Sequence, residues 1–108
     1  TSFRVRPWAS PFLSPMLGPL GPTERHLLWE MAATVDPAFL KWGCQAILSW
    51  QPAAHGASVS HLHGSADRIT PLDRVRPTQV VRGAGHVLTL NHPAETTEFL
   101  LHVLSNVD

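Results

Sequence analysis

Two short apolar runs in the second half of the chain, each followed by a glycine-containing loop, constrain the fold more than any other feature. The first run covers residues 57–62 and leads into His63-Gly64, and the second covers residues 79–81 and leads into Gly83-Ala84-Gly85-His86. Both are too short and too weakly alternating for a solvated hairpin, which predicts parallel strands buried in a larger sheet. A proline at position 93 then opens a helical pattern. The order strand, loop, strand, helix predicts the end of an α/β fold.

An acidic residue and a histidine occupy matching positions after these two strands. Asp67 lies in the loop after the first strand, and His86 lies in the loop after the second. A carboxylate bonded to one imidazole nitrogen fixes the tautomer, and the other nitrogen can then take a proton near neutral pH. Gly83 and Gly85 would let the backbone carry His86 over such a site. Such a pair has the arrangement of two members of a nucleophile–base–acid triad. The spacing alone favours the alternative, in which Asp67 caps the next turn and His86 is an incidental loop residue.

The composition narrows the class of protein. The chain has 108 residues, enough for one domain with a modest core, and 44% of them are hydrophobic against 15% charged, as in soluble globular proteins. Eight basic residues balance eight acidic ones, so neither a nucleic acid nor a membrane surface is predicted as a partner. No apolar run approaches the roughly 20 residues needed to span a bilayer, and no signal sequence opens the chain, which favours a cytoplasmic protein. The single cysteine, Cys44, excludes an intramolecular disulfide.

The first half of the chain predicts a proline-rich connection followed by two helices. Residues 1–22 combine prolines with apolar side chains, so an ordered connection that lies across a surface is expected. Thr23 is predicted to cap the first helix. Asp36 is predicted to cap the second, with Pro37 in its first position and its end near Trp50.

Apolar side chains at helical spacing predict which faces of the helices are buried. The second helix has such a face, formed by Leu40, Cys44, Ile47 and Leu48. The last helix opens at Asn91 or His92 and has an apolar stripe of Phe99, Leu100, Val103, Leu104 and Val107. Three tryptophans are interpreted as packing residues, although they could instead line a substrate cavity: Trp29, Trp42 and Trp50. Cys44 is interpreted as a buried, inert thiol rather than a nucleophile.

The two loops together resemble the C-terminal part of an α/β-hydrolase-fold enzyme. The run His63-Gly64-Ser65-Ala66-Asp67-Arg68-Ile69-Thr70-Pro71 matches that family's HGxxDxxxP loop, which carries the triad acid, and Gly83-Ala84-Gly85-His86 matches its G-x-G-H loop, which carries the base. The resemblance implies that Asp67 is the acid and His86 the catalytic base. It covers most of residues 23–104 and resembles the subset of the family with a short acid-to-histidine connection. It also implies that residues 1–56 form a proline-rich connection and cap helices, and residues 57–108 the end of the hydrolase core.

The nucleophile that such a pair serves has no counterpart in the sequence. The family places it in a G-x-S-x-G elbow upstream of the acid, and residues 1–66 contain no such pentapeptide. The serines of this region fall in proline-rich segments, at a helix end, or in the strand and acid loop: Ser2, Ser10, Ser14, Ser49, Ser58, Ser60 and Ser65. We therefore expect the C-terminal portion of a hydrolase, of the serine-hydrolase type, that is inactive alone. The complete enzyme would act without a cofactor on an ester, thioester, epoxide or carbon–halogen bond of a small molecule.

Three classes of function stay open from the sequence. The first is the hydrolase portion, and the second is a non-catalytic remnant or binding module of the same fold. The third is a metal- or pH-responsive histidine protein, since His61 and His63 share a strand face and could bind a metal with His55 or His86. No metal is predicted, because in the family this position is simply a strand end. Two parallel strands without the rest of a sheet leave unpaired edges, so marginal stability or self-association is expected.

Overall fold

The computed structural model describes residues 15–54 and 56–107, and this part of the chain combines helices with a two-stranded parallel sheet. In chain order the elements are α1 (Pro22–Thr34), α2 (Pro37–Ser49), β1 (Leu62–Gly64), a 3-10 turn (Leu72–Arg74), β2 (Gln79–Val81), α3 (Leu88–Asn91) and α4 (Pro93–Ser105). Mixed helix and parallel strand agrees with the α/β class predicted from the sequence. None of these helices is long and apolar enough to cross a bilayer. Most of the predicted proline-rich connection, residues 1–14, lies outside the described residues.

The first strand of the sheet lies later in the chain than the sequence predicts. Strands β1 and β2 pair over three residues each, with the register Leu62–Gln79, His63–Val80 and Gly64–Val81. The second strand has the predicted bounds, but the first was expected over residues 57–62 and instead covers Leu62–Gly64. Thr78 explains the difference. Its hydroxyl oxygen accepts a 2.8 Å hydrogen bond from the His61 N–H, and its own N–H donates to the His61 carbonyl at 2.9 Å. The pairing therefore ends at His61, and residues 57–60 have no regular structure.

The helix starts follow from local sequence, with one correction. Asp36 caps α2 as predicted, because its Oδ1 accepts a 2.8 Å hydrogen bond from the Ala38 N–H and Pro37 occupies the first turn. The predicted cap of α1 at Thr23 is wrong. The helix already begins at Pro22, and the cap position is Gly21, which has no side chain to bond the free N–H groups. A proline is well suited to the first helical turn, so it starts the helix one residue before the threonine.

The core of the described residues is small and includes the residues of the predicted site. The buried apolar side chains are Val81, Ala84 and Phe99, and the buried polar ones are His63 and Asp67. Helices α1 and α2 contain no buried residue. The densest packing therefore lies around the loops that follow the two strands.

Several side chains predicted to be buried are exposed. Trp42 and Trp50 are 63% and 71% exposed, so the expectation that they are packing residues is wrong. Cys44 is also exposed, which overturns its interpretation as a buried thiol. Of the apolar stripe on α4, Phe99 is buried but Leu100, Leu104 and Val107 are not. Helical spacing shows which side chains share a face, whereas burial also requires a surface opposite that face. Two strands of three residues each provide too little surface to cover these helix faces.

Candidate active site

The loops that follow β1 and β2 bring Asp67 and His86 into direct contact. Parallel strands end at the same edge of a sheet, so the two loops emerge side by side. Oδ2 of Asp67 lies 2.9 Å from Nδ1 of His86. The Asp67 side chain is 3% exposed and the His86 side chain 42%. A buried carboxylate thus stands behind an accessible imidazole.

The surroundings of Asp67 keep its carboxyl ionised. Burial raises the pKa of Asp67, but the backbone N–H of Thr70, the ring of His86 and the backbone N–H of Ile69 all hydrogen-bond the carboxylate and lower it. The positive charge that His86 gains on protonation lowers the pKa further, and the net result is a pKa below the ordinary value. Oδ1 accepts both backbone bonds at 2.9 Å, which leaves Oδ2 for His86. The acid loop therefore supplies a fixed negative charge.

The ionised carboxylate fixes the tautomer of His86. A carboxylate can only accept, so Nδ1 of His86 carries the proton in the hydrogen bond to Asp67. Nε2 of the neutral ring then has a free lone pair. Within residues 15–54 and 56–107, no group hydrogen-bonds this nitrogen. An imidazole that is held through Nδ1 and has an unprotonated Nε2 has the arrangement of a general base.

Three further hydrogen bonds hold the acid loop against the histidine loop. The N–H of Ser65 donates to the Val81 carbonyl at 3.0 Å, and the N–H of Ala66 donates to the Ala84 carbonyl at 2.9 Å. In the opposite direction, the N–H of Gly83 donates to Oγ of Ser65 at 2.7 Å. Gly83 has a φ of 76°, a backbone conformation that favours glycine. These bonds fix the separation of Asp67 and His86 through the backbone.

The two loops also approach too closely for a side chain at Gly64. A Cβ atom added there would collide with the carbonyl oxygens of Ala84 and Gly85. On the other side of the histidine loop, a Cβ atom on Gly85 would lie 2.7 Å from the Cα of Gly18 and from the Leu17 carbonyl oxygen. The residue before His86 is therefore enclosed by backbone on both sides.

A second histidine, which the sequence pattern did not assign to the pair, lies beside the carboxylate. His63 is buried, and its Nε2 lies 2.8 Å from the Thr70 carbonyl oxygen and 3.5 Å from Oδ2 of Asp67. Nδ1 of His63 lies 3.2 Å from Nε2 of His61. The sequence signal was the His-x-His spacing, which places both rings on one strand face, but it was weighed only as a metal site. His55, the other ligand considered, lies outside the described residues, and among those described no three His, Cys, Asp or Glu side chains are placed to hold a metal ion.

The candidate nucleophiles that lie within the described residues are not brought to His86. In the described part of the chain, no serine, threonine or cysteine side chain hydrogen-bonds the ring of His86. Ser65 uses its Oγ to accept from Gly83, and Cys44 is exposed on α2. Ser49 bonds the Gln45 carbonyl within α2. Ser58 and Ser60 are exposed, whereas Ser2, Ser10 and Ser14 lie outside the described residues.

The comparisons with known proteins add no relative. No protein-family model matches this sequence, and neither the curated proteins nor the solved structures contain a significant match.

Proposed function

We propose that the chain supplies the acid and the general base of a nucleophilic hydrolase, in the manner of the C-terminal part of an α/β-hydrolase fold. Asp67 is the acid, and His86 is the base. The nucleophile comes from residues outside the described part of the chain. The proposed reaction requires no cofactor.

A single observation carries the proposal, namely the 2.9 Å contact between a carboxylate that is 3% exposed and an imidazole that is 42% exposed. A carboxylate that only stabilised its own loop would be satisfied by its backbone bonds to Ile69 and Thr70. The bond to His86 adds a partner from a different loop and leaves Nε2 of that partner open to incoming groups. The parallel strands and the order of the two loops also support the proposed acid–base role of this pair.

The chemistry follows from the protonation states of the pair. Nε2 of His86 takes the proton of an attacking hydroxyl, thiol or water, and the ionised Asp67 stabilises the imidazolium that forms. The same nitrogen then returns the proton to the leaving group when the scissile bond breaks. Such a pair suits an ester or thioester of a small molecule, and it also suits epoxides and carbon–halogen bonds that are opened through a covalent intermediate.

Activity-based labelling of the native gene product tests the proposal. A fluorophosphonate probe forms a covalent bond with an activated serine, so we expect it to label the native product when its nucleophile is a serine. His86→Ala and Asp67→Asn should both lose this labelling, whereas the surface substitution His26→Ala should keep it. The 108-residue chain alone should not be labelled stoichiometrically. Labelling of the native product that survives His86→Ala would refute the role of His86.

A non-catalytic binding module is the second candidate, and one observation favours it. Among the described residues, no hydroxyl or thiol is placed against His86. A native product whose mass leaves no room for a nucleophile segment, and which no probe labels, would favour this candidate over the hydrolase.

A further inference from the structure

We infer that His63 is a positioning residue for the Asp67–His86 pair, acting through Thr70, and that His61 holds the ring of His63 in the required tautomer. The inference rests on the proposed function for its biological meaning. Its test, however, measures the hydrogen bond between Asp67 and His86 and requires no hydrolytic activity.

The hydrogen-bond partner of His63 defines where its proton lies. Nε2 of His63 lies 2.8 Å from the carbonyl oxygen of Thr70. A carbonyl oxygen can only accept, so Nε2 of His63 must carry the proton. In the neutral ring Nδ1 is then bare and can act only as an acceptor.

His61 supplies the donor that this bare nitrogen requires. Nε2 of His61 lies 3.2 Å from Nδ1 of His63, and the two rings meet edge-on, with an angle of 88° between their planes. His61 therefore donates to His63, and His63 donates to Thr70. Both nitrogens of the buried His63 ring are satisfied in this one direction, as a buried polar group requires.

Thr70 links this histidine chain to the carboxylate. The carbonyl oxygen of Thr70 accepts from His63, and the N–H of the same residue donates to Oδ1 of Asp67 at 2.9 Å. The hydrogen bond from His63 thus fixes the far end of the acid loop, and that end in turn orients the carboxylate. Without it, the peptide groups on both sides of Thr70 could rotate, and Oδ1 could lose a donor.

The hydrogen bond from His63 to Thr70 also matters for the charge of the carboxylate. Its Nε2 lies 3.5 Å from Oδ2 of Asp67, whereas Nδ1 of His86 lies 2.9 Å from the same oxygen. The Nε2–H of His63 donates its hydrogen bond to the Thr70 carbonyl, so the ring does not compete with His86 for Oδ2. The charge of the carboxylate therefore faces His86.

A matched pair of amide substitutions tests the inference. His63→Gln keeps a donor at the position of Nε2, because the glutamine amide nitrogen can reach the Thr70 carbonyl. His63→Asn has the same amide on a shorter side chain and cannot reach it. The measurement is the low-field proton resonance of the His86 Nδ1–H, which reports its hydrogen bond to Asp67. We expect this resonance to persist in the wild type, in His63→Gln and in the exposed control His102→Gln, and to be lost in His63→Asn. Backbone amide resonances of β2 monitor the fold in each variant.

Two outcomes would overturn the inference. One is a folded His63→Asn variant that keeps the His86 resonance unchanged, and the other is a folded His63→Gln variant that loses it. If a variant does not fold, the wild-type chain still decides the matter. Long-range proton–nitrogen spectra of the neutral His63 ring should show a protonated Nε2 and a bare Nδ1, and the opposite tautomer would refute the inference. Absence of probe labelling in a native product whose nucleophile is a serine would count against the hydrolase proposal alone.

Discussion

Oγ of Ser65 accepts a 2.7 Å hydrogen bond from the backbone N–H of Gly83, so the loop that carries the acid holds the loop that carries the histidine. The bond connects a side chain on one loop to the backbone of the other at a glycine with a φ of 76°. Among the described residues it is one of three hydrogen bonds that join the loops besides the Asp67–His86 contact, and of those three it alone involves a side chain.

Replacing Ser65 with alanine should therefore lower the free energy of unfolding by about 1 kcal/mol, the usual net contribution of one hydrogen bond. Urea denaturation of the wild type and the variant measures the difference. Ser49→Ala is the matched control. Its Oγ bonds only the carbonyls of its own helix, and its removal should change stability by less than about 0.5 kcal/mol. Equal stabilities of the two variants would contradict the prediction.

Gly64→Ala should destabilise the chain by about 1–3 kcal/mol, because the new Cβ atom would collide with the carbonyl oxygens of Ala84 and Gly85. The loops would have to separate, so the His86 Nδ1–H resonance should also be lost. Gly43→Ala is the opposite case. Nothing lies within 4 Å of a Cβ atom at Gly43 in α2, and alanine is the better helix former by about 1 kcal/mol, so this variant should gain stability. Chemical denaturation of both variants would reveal a wrong sign in either.

Asp67 should make the stability of the chain depend on acid pH. Its pKa in the folded state lies below the ordinary value, so ionised Asp67 contributes stability that is present above the unfolded pKa of about 3.9. This contribution is lost as the pH falls through the lower folded pKa. In Asp67→Asn the free energy of unfolding should fall less steeply between about pH 5 and pH 2 than in the wild type. Ser49→Ala, which removes no ionisable group, should keep the wild-type slope. Identical slopes for the wild type and Asp67→Asn would contradict this expectation.

Asp67→Asn should also switch the tautomer of His86. The asparagine oxygen can still accept from the N–H groups of Ile69 and Thr70, which leaves its amide nitrogen, a donor, facing Nδ1 of His86. Nδ1 must then accept, and the proton moves to Nε2, where it blocks the nitrogen that serves as the base. Nitrogen NMR of the neutral ring distinguishes the two tautomers. A variant that keeps Nδ1–H would show that Asp67 does not set the tautomer.

The exposed apolar side chains of α2 should cause self-association. Ile47 and Leu48 are 77% and 88% exposed, and within the described residues no element packs over them. The melting temperature of the wild type should rise with protein concentration, and Leu48→Lys should weaken this dependence. Sedimentation measurements check the same point. A sharp melt of a monomer, independent of concentration, would be the contrary result.

The sequence predicted the elements whose determinants are local. The cap of α2 at Asp36 and the bounds of β2 needed only neighbouring residues, and both agree with the structure. The proximity of Asp67 and His86 could be expected from the order of strands and loops alone, and the two side chains are in contact. Their catalytic role remains a prediction.

Other features depend on contacts that a linear pattern does not contain. The start of β1 depends on Thr78, which lies far along the chain from the residues it displaces from the sheet. Tryptophan is a residue type that usually packs in a core, but the described residues offer no surface to cover Trp42. His63 could not be assigned to the acid–base pair, because its tautomer is set by a backbone carbonyl, that of Thr70, and not by a residue type.

The hydrogen bonds that build the acid–base pair all join residues between His61 and His86. Closing loops of this length costs somewhat less chain entropy than bringing more distant segments together, and chains rich in local contacts fold faster. The pair can therefore assemble as a local unit before α1 and α2 have taken up their positions. A growing chain would acquire its acid and its base in one step, as soon as the second strand meets the first.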